Sequence, residues 1–256
     1  MNPFSQILDA IYYLRISPDF IKNHRLWEGY WKVGWVARST VILGAIICVF
    51  FFIDVSRGFQ ELMSPLPQYE AASLGNVMDK VYFDGGIKYL ILILLEMVIF
   101  YFTVRTLDVV KGTETKTTPK DFIDAQFRMI KVSIRNYIQE IILGTLISIV
   151  LGIFGMDWIK SMALIMIQFY FIGFAFMDNY YEQNDLPIRE SAKYIRTHVY
   201  AAIVIGAIGY LLFMVPLLGA LLGPFICAVA ATLYLHHKSI TDESVVDIES
   251  EGELAI

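Results

Sequence analysis

Charged side chains inside apolar segments are the residues of this chain whose type and position could do chemistry. Glu96 lies near the middle of the apolar run from about Gly86 to Val104. Burying a carboxylate at that depth in a bilayer costs free energy, so a carboxylate found there suggests a functional site. Arg38, one turn inside an earlier apolar run, is the partner that we expect for it. Glu96 could then form a packing ion pair with Arg38, act at a gate or ion path, or carry a proton.

A second group of charges could bind an anion. Ser17-Pro18-Asp19 has the composition of a helix N-terminus, with an N-cap residue, a proline at the first helical position and an acid in the first turn. Helix N-termini and basic side chains supply the positive potential that an anion site needs. Lys22 and Arg25, which follow this start, are therefore anion-binding candidates. The alternative is that they only anchor the chain on the cytoplasmic side of a membrane.

Patterns of catalytic and metal-binding residues are missing from the sequence. There is no Walker loop and no G-x-S-x-G motif, and the two cysteines, Cys48 and Cys227, lie apart in apolar runs. The four histidines are scattered at segment ends without metal-ligand spacing. The sequence therefore predicts that the protein is not an enzyme and has no metal site and no cofactor.

The composition is typical of an integral membrane protein. Hydrophobic residues make up 57% of the chain, charged residues only 18%, and the mean hydropathy is +0.57. The net charge of −5 comes mainly from six acids in the last 15 positions: Asp242, Glu243, Asp247, Glu249, Glu251 and Glu253. We therefore expect a single membrane domain over 1–238, an acidic, disordered cytoplasmic tail over 239–256, the lipid bilayer as a partner and no nucleic acid.

The segments that position these charges are predicted to be helices throughout. Apolar runs at about 33–53 and 86–104 are long enough to be full transmembrane helices. Amphipathic patterns predict interfacial helices at about 3–16 and 119–140, the second of which begins with a capped Thr118-Pro119 start. Shorter runs at 141–154 and 162–177 predict a hairpin that only partly penetrates the membrane. Gln168, in the second of these runs, is a pore or gate candidate together with Glu96 and Arg38.

The uncharged stretch from Val199 to Leu235 must break. As one helix it would be about 55 Å long, and the hydrocarbon core is roughly 30 Å thick. Pro216 cannot continue a helix and Gly219 readily closes one, so the break is predicted within the sequence VPLLG, leaving two helices of about 17 residues that form a second partly penetrating hairpin. Gly219 and Gly223 form a G-x-x-x-G motif ahead of Pro224, and we expect this small-residue face to support a homo-oligomer.

The distribution of basic residues predicts the orientation. Residues 105–140 contain seven Lys or Arg, whereas residues 54–86 contain two. By the positive-inside rule, the first segment is cytoplasmic and the second is on the opposite side. We therefore expect a multi-pass protein of the plasma (inner) membrane with both termini in the cytoplasm.

The region from Phe176 to Tyr234 carries a family resemblance. In order, it has an acidic helix end at Asp178, an amphipathic segment opening at Pro187, a Val-Pro-Leu-Leu break, and a second proline before an Ala-Ala-Thr run. This order resembles the CysZ family of bacterial sulfate-uptake membrane proteins, within the wider etoposide-induced membrane-protein family. The resemblance implies an N-terminal interfacial element, two long spans and two pairs of half-length helices. We expect Asp178 to cap or anchor a helix end at the interface.

The resemblance also implies a permease or channel for a small inorganic anion, namely sulfate or a related oxyanion. In that case Glu96, Gln168 and Lys22 should lie near one continuous cavity. The family's Pro-Gly-Leu/Ile-Arg motif is altered here to Pro18-Asp19-Phe20-Ile21-Lys22. The alternative is therefore a non-transporting membrane scaffold or regulatory protein of the same family, with Glu96 sealed against Arg38.

Overall fold

The computed structural model describes residues 2–28, 87–213 and 218–253, and the regular structure in these ranges is entirely α-helical. This confirms the predicted all-α class for the described part of the chain. The helices are α1 (Pro3–Asn23), α2 (Ile87–Lys111), α3 (Pro119–Ile153), α4 (Asp157–Glu182), α5 (Ile188–Thr197), α6 (Val199–Phe213) and α7 (Leu218–Glu253). The predicted first span at 33–53, Arg38 and the following loop lie outside the described residues.

Two of these helices are long and apolar enough to cross a membrane. They are α3 and the part of α4 from Ile159 to Glu182. Only 6% of the most apolar stretch of α3 is buried within the protein, against 33% for α4. Large side chains such as Leu146, Ile149 and Ile153 are exposed there, so this half of α3 presents an apolar surface suited to lipid.

Helix α1 corrects the prediction of a helix start at Ser17. Pro18 lies inside a single helix that runs from Pro3 to Asn23. Ser17 is fully buried, and its hydroxyl donates a hydrogen bond to the Tyr13 carbonyl at 2.6 Å. The helix continues past the proline because α1 packs on the rest of the bundle: Gln6 donates to the Thr197 carbonyl at 2.8 Å, and Lys238 pairs with Asp9 at 2.7 Å. Packing outweighs the loss of one backbone hydrogen bond at Pro18.

Helix α3 joins two segments that the sequence analysis separated at residue 140. Its predicted start is confirmed, because the Asp121 carboxylate accepts hydrogen bonds from the Thr118 backbone N–H at 2.6 Å and the Thr118 hydroxyl at 3.0 Å. From there the helix is continuous for 35 residues to Ile153. The change from an amphipathic to an apolar pattern does not break it, since no proline falls between the two halves.

In the stretch from 199 to 235, α6 is described as far as Phe213 and α7 from Leu218. The predicted break falls on residues 214–217, outside the described ones, and stays a prediction. Pro216 lies outside the described residues. Gly219 does not close α6, since it is already helical in the first turn of α7. Pro224 is inside α7, which continues as far as Glu253, where we predicted a disordered tail from residue 239.

The backbones of α4 and α6 come into direct contact where the two helices cross. A Cβ on Gly173 would lie 1.8 Å from the Ala202 carbonyl oxygen, and a Cβ on Gly206 would lie 1.8 Å from the Phe169 carbonyl oxygen. The two glycines let the helix backbones touch, as small residues do at membrane helix interfaces. Buried side chains of α4 and α7, including Phe171, Phe174 and Tyr234, belong to the same hydrophobic core as these helices.

Candidate functional site

An open groove of about 540 Å³ lies between α3 and α4. It follows the half of α3 that is otherwise covered with exposed apolar side chains. Polar groups nevertheless line it, namely Tyr137, Glu140, Thr145, Ser148 and Gln168, together with apolar Ile141, Ile149, Leu164 and Ile167 and with Gly144. Gln168, a predicted pore candidate, therefore lies in the groove with other polar side chains.

Glu140 is the charged residue of the groove lining, and the sequence analysis missed it. The Tyr89 hydroxyl of α2 donates a hydrogen bond of 2.6 Å to the Glu140 carboxylate. The Tyr137 ring packs edge-on against Tyr89, with ring centroids 5.8 Å apart. The groove end nearest α2 is thus fixed by a charge-assisted hydrogen bond and an aromatic contact. The signal in the sequence was an acid on the boundary between the amphipathic and apolar halves of α3.

Glu96 is buried away from this groove. Its side chain is 1% exposed, and Oε2 accepts a hydrogen bond from the Asn179 side-chain amide of α4 at 3.3 Å. Among the described residues, neither Glu96 Oε1 nor Asn179 Oδ1 has a hydrogen-bond partner. The pairing with Arg38 stays a prediction, because Arg38 lies outside the described part. Glu96 is therefore sealed in the core next to Asn179 and does not line the groove.

A buried ion pair next to Glu96 fixes α4 to α3. The Arg128 guanidinium donates to both oxygens of Asp178, with Nε at 2.9 Å and the second terminal nitrogen at 3.1 Å. Its remaining terminal nitrogen donates to the Leu186 carbonyl at 2.7 Å, and the Ser191 hydroxyl of α5 donates to Asp178. Asp178 thus anchors the end of α4 to its neighbours, one turn before the helix ends at Glu182.

The two anion-binding candidates are placed differently from the sequence prediction. Lys22 lies in the last turn of α1 and is exposed, so it is at the end of a helix with partial negative charge. Arg25 follows the helix with a positive φ of 48° and pairs with Glu28 at 3.2 Å. Neither residue lines the groove. The structure therefore does not bring Lys22, Glu96 and Gln168 together at that groove.

Gly223, predicted to be on an oligomer-forming face, is used within the chain. A Cβ at this position would lie 3.3 Å from Leu212 Cβ and 3.4 Å from the Phe213 ring, both at the end of α6. The glycine therefore lets α7 pack closely against the end of α6. In the described ranges, no group of three or more His, Cys, Asp or Glu residues is arranged to hold a metal ion.

No family model matches this chain, and neither the curated proteins nor the solved structures contain a match to it.

Proposed function

We propose that the protein is a membrane permease for a small inorganic anion, and that the groove between α3 and α4 is part of its path. The observation that carries the proposal is the polar lining of this groove within an otherwise apolar surface. Polar side chains at membrane depth are costly and are found where they line a wet path or meet a partner. Gln168, Thr145 and Ser148 can replace part of the water shell of a passing ion.

Sulfate or a related oxyanion is the substrate class that we propose, on the strength of the resemblance over 176–234. The groove itself adds a condition on this substrate. The Glu140 carboxylate, which accepts the Tyr89 hydrogen bond, disfavours an anion placed beside it. We therefore assign Glu140 the role of limiting anion passage, while Gln168 supports it.

Radiolabelled sulfate uptake into proteoliposomes tests this assignment. We expect Gln168→Leu to lower the uptake rate roughly tenfold because it removes a hydrogen-bonding group from the path. We expect Glu140→Gln to raise the rate, because the amide keeps a hydrogen bond with Tyr89 and removes the repelling charge. Met162→Leu, an exposed apolar position outside the groove lining, is the matched control and should leave uptake unchanged.

A specific observation favours a second candidate, a non-transporting scaffold or regulatory protein. Glu96 is sealed against Asn179 and lies outside the groove lining, which suits a packing role better than a gate. Uptake by the parent protein no greater than by empty vesicles would favour this second candidate over the permease. Uptake that is indifferent to both Gln168→Leu and Glu140→Gln would leave a permease but remove the groove from its path.

The membrane arrangement that we propose has the spans predicted at 33–53 and 86–104 and two helical hairpins, α3–α4 and α6–α7, within a homo-oligomer in the inner membrane. Both α3 and α4 are long and apolar enough to cross the membrane, so the first hairpin can reach its far side and return. Both termini and residues 105–140 then face the cytoplasm. Cysteines introduced at Lys116 or Thr241, in a Cys48→Ser background, should resist a membrane-impermeant thiol reagent added to intact cells. Arg57→Cys, in the segment predicted on the outside, is the positive control. Labelling at Lys116→Cys with protection of Arg57→Cys would reverse the orientation, and labelling of both would contradict the span between them.

A further inference from the structure

A row of polar residues continues inward from the groove along one face of α3. Glu140 lines the groove. Asn136 and Ser133 lie four and seven positions before it, so the three residues share one face of the helix. Asn136 is 0% exposed and Ser133 is 1% exposed. The polar face of α3 is therefore open at the groove and covered by protein from Asn136 inward.

Both buried residues have polar atoms that the fold leaves without a partner. The Asn136 side-chain amide donates to the Phe171 carbonyl of α4 at 3.4 Å, which is long for a hydrogen bond. Within the described ranges, neither the Asn136 side-chain oxygen nor the Ser133 hydroxyl has a hydrogen-bond partner. Burying such groups costs free energy, and native proteins contain few of them. Contact with water or a ligand in another conformation would explain why polar residues occupy these two positions.

The inner end of this row lies near the buried network around Glu96. Arg128, five positions before Ser133 on α3, pairs with Asp178 of α4 at 2.9 Å. Asn179, the residue after Asp178, donates to Glu96 at 3.3 Å. Glu96 and Asn179 each keep one side-chain oxygen without a partner in the described part of the chain. Polar side chains, several of them with unpartnered atoms, thus extend from the groove to the surroundings of Glu96.

We propose that the groove extends along this face of α3 in a second conformation, in which Ser133 and Asn136 line a water-filled crevice that leads towards Glu96. Water and ions then meet the hydroxyl and amide groups that lack partners in the closed arrangement. In this conformation α4 moves away from α3 at the weak contact between Asn136 and Phe171. The use of the crevice rests on the proposed function: in a permease for a small inorganic anion, it is the inner section of the path.

Thiol reactivity in proteoliposomes tests whether the crevice opens. Ser133→Cys and Asn136→Cys are made in a Cys48→Ser background, in which the remaining Cys227 is fully buried. The measured quantity is the rate of modification by a small anionic methanethiosulfonate, followed by mass spectrometry. Ser17→Cys is the matched control, because Ser17 is equally buried but its hydroxyl already has a hydrogen-bond partner. We expect both α3 variants to react roughly tenfold faster than this control.

Sulfate distinguishes an anion path from a crevice that admits only water and the reagent. We expect sulfate to slow the modification of Ser133→Cys by about threefold or more, because an anion in the crevice disfavours the anionic reagent there. Gln168→Cys, in the lining of the open groove, is the reference for the part of the path that needs no opening.

Two results would overturn the proposal. The first is a rate for Ser133→Cys no higher than for Ser17→Cys while Gln168→Cys reacts, which would leave the groove but close its inner end. The second is no slowing by sulfate beside measurable sulfate uptake, which would remove the crevice from the path. Failure of the proposed function looks different, since the parent then takes up no sulfate while Ser133→Cys still reacts, and this result supports the crevice alone. If Asn136→Cys does not fold, Ser133→Cys, which changes one atom, decides the matter.

Discussion

Gly206→Ala should destabilise the folded protein by about 3 kcal/mol or more. The new methyl group would lie 1.8 Å from the Phe169 carbonyl oxygen and 2.7 Å from the Gly173 nitrogen, and both atoms belong to helix backbone. No side chain can move aside, so α4 and α6 would have to separate along their whole contact. Thermal unfolding in mild detergent, followed by circular dichroism at 222 nm, measures the loss. Gly173→Ala, which would place its methyl group against Ala202, should behave similarly.

Gly152→Ala is the matched control for this experiment. Gly152 is also a helical glycine, but a Cβ added there would meet nothing within 4 Å. Alanine has the higher helix propensity by about 1 kcal/mol, so this change should be neutral or slightly stabilising. An unfolding midpoint of Gly206→Ala equal to that of Gly152→Ala would contradict the close crossing of α4 and α6. A variant too unstable to purify, beside a normal yield of Gly152→Ala, would agree with it.

Arg128→Met should cost about 3–5 kcal/mol of stability, because it leaves the Asp178 carboxylate buried without its cation. The side chains of Arg128 and Asp178 are 15% and 4% exposed, so water replaces little of the lost interaction. Methionine keeps most of the volume of the arginine stem, and the effect is therefore mainly that of the charge. The same thermal measurement in detergent applies, with the free energy of unfolding taken from a denaturant series where unfolding is reversible.

The double variant Arg128→Met, Asp178→Asn tests whether the loss in Arg128→Met comes from the unpaired Asp178 carboxylate. Because the second change removes the stranded charge, the double variant should be more stable than Arg128→Met alone. Arg25→Met is the control, since the Arg25–Glu28 pair is 70% and 57% exposed and should contribute no more than about 1 kcal/mol. Equal losses in Arg25→Met and Arg128→Met would contradict the assignment of Arg128–Asp178 as an anchor of α4.

Local chemistry explains why some features could be predicted from the sequence. The break predicted in the stretch from 199 to 235 follows from a proline in an apolar run that is too long for one helix. The start of α3 follows from Thr118, Pro119 and Asp121, whose side chains act on their own backbone within one turn. Such signals depend on residues three or four positions apart, so they hold in any tertiary context.

At Pro18, tertiary packing overrides the helix start that the local sequence predicts. A serine before a proline and an acid predicts a helix start, yet the same residues lie within α1. Ser17 is buried and bonds to the Tyr13 carbonyl, while Tyr13 packs edge-on against Tyr234 of α7, with ring centroids 6.4 Å apart. A partner more than 200 positions away holds the helix together here, and no pattern around Pro18 reports it.

The sequence by itself determined the helical class, the apolar segments and the start of α3, because each depends on composition or on neighbours within a turn. The tertiary structure alone decided which charges meet. Glu96 contacts Asn179, 83 positions away, and Arg128 contacts Asp178, 50 positions away. The Gly206 contact with Phe169 likewise depends on how two helices cross. Spacing along one helix fixes the face on which a residue lies, but it does not say which other helix covers that face. Burial by that second helix sets the desolvation cost of each charge and the strength of its ion pair.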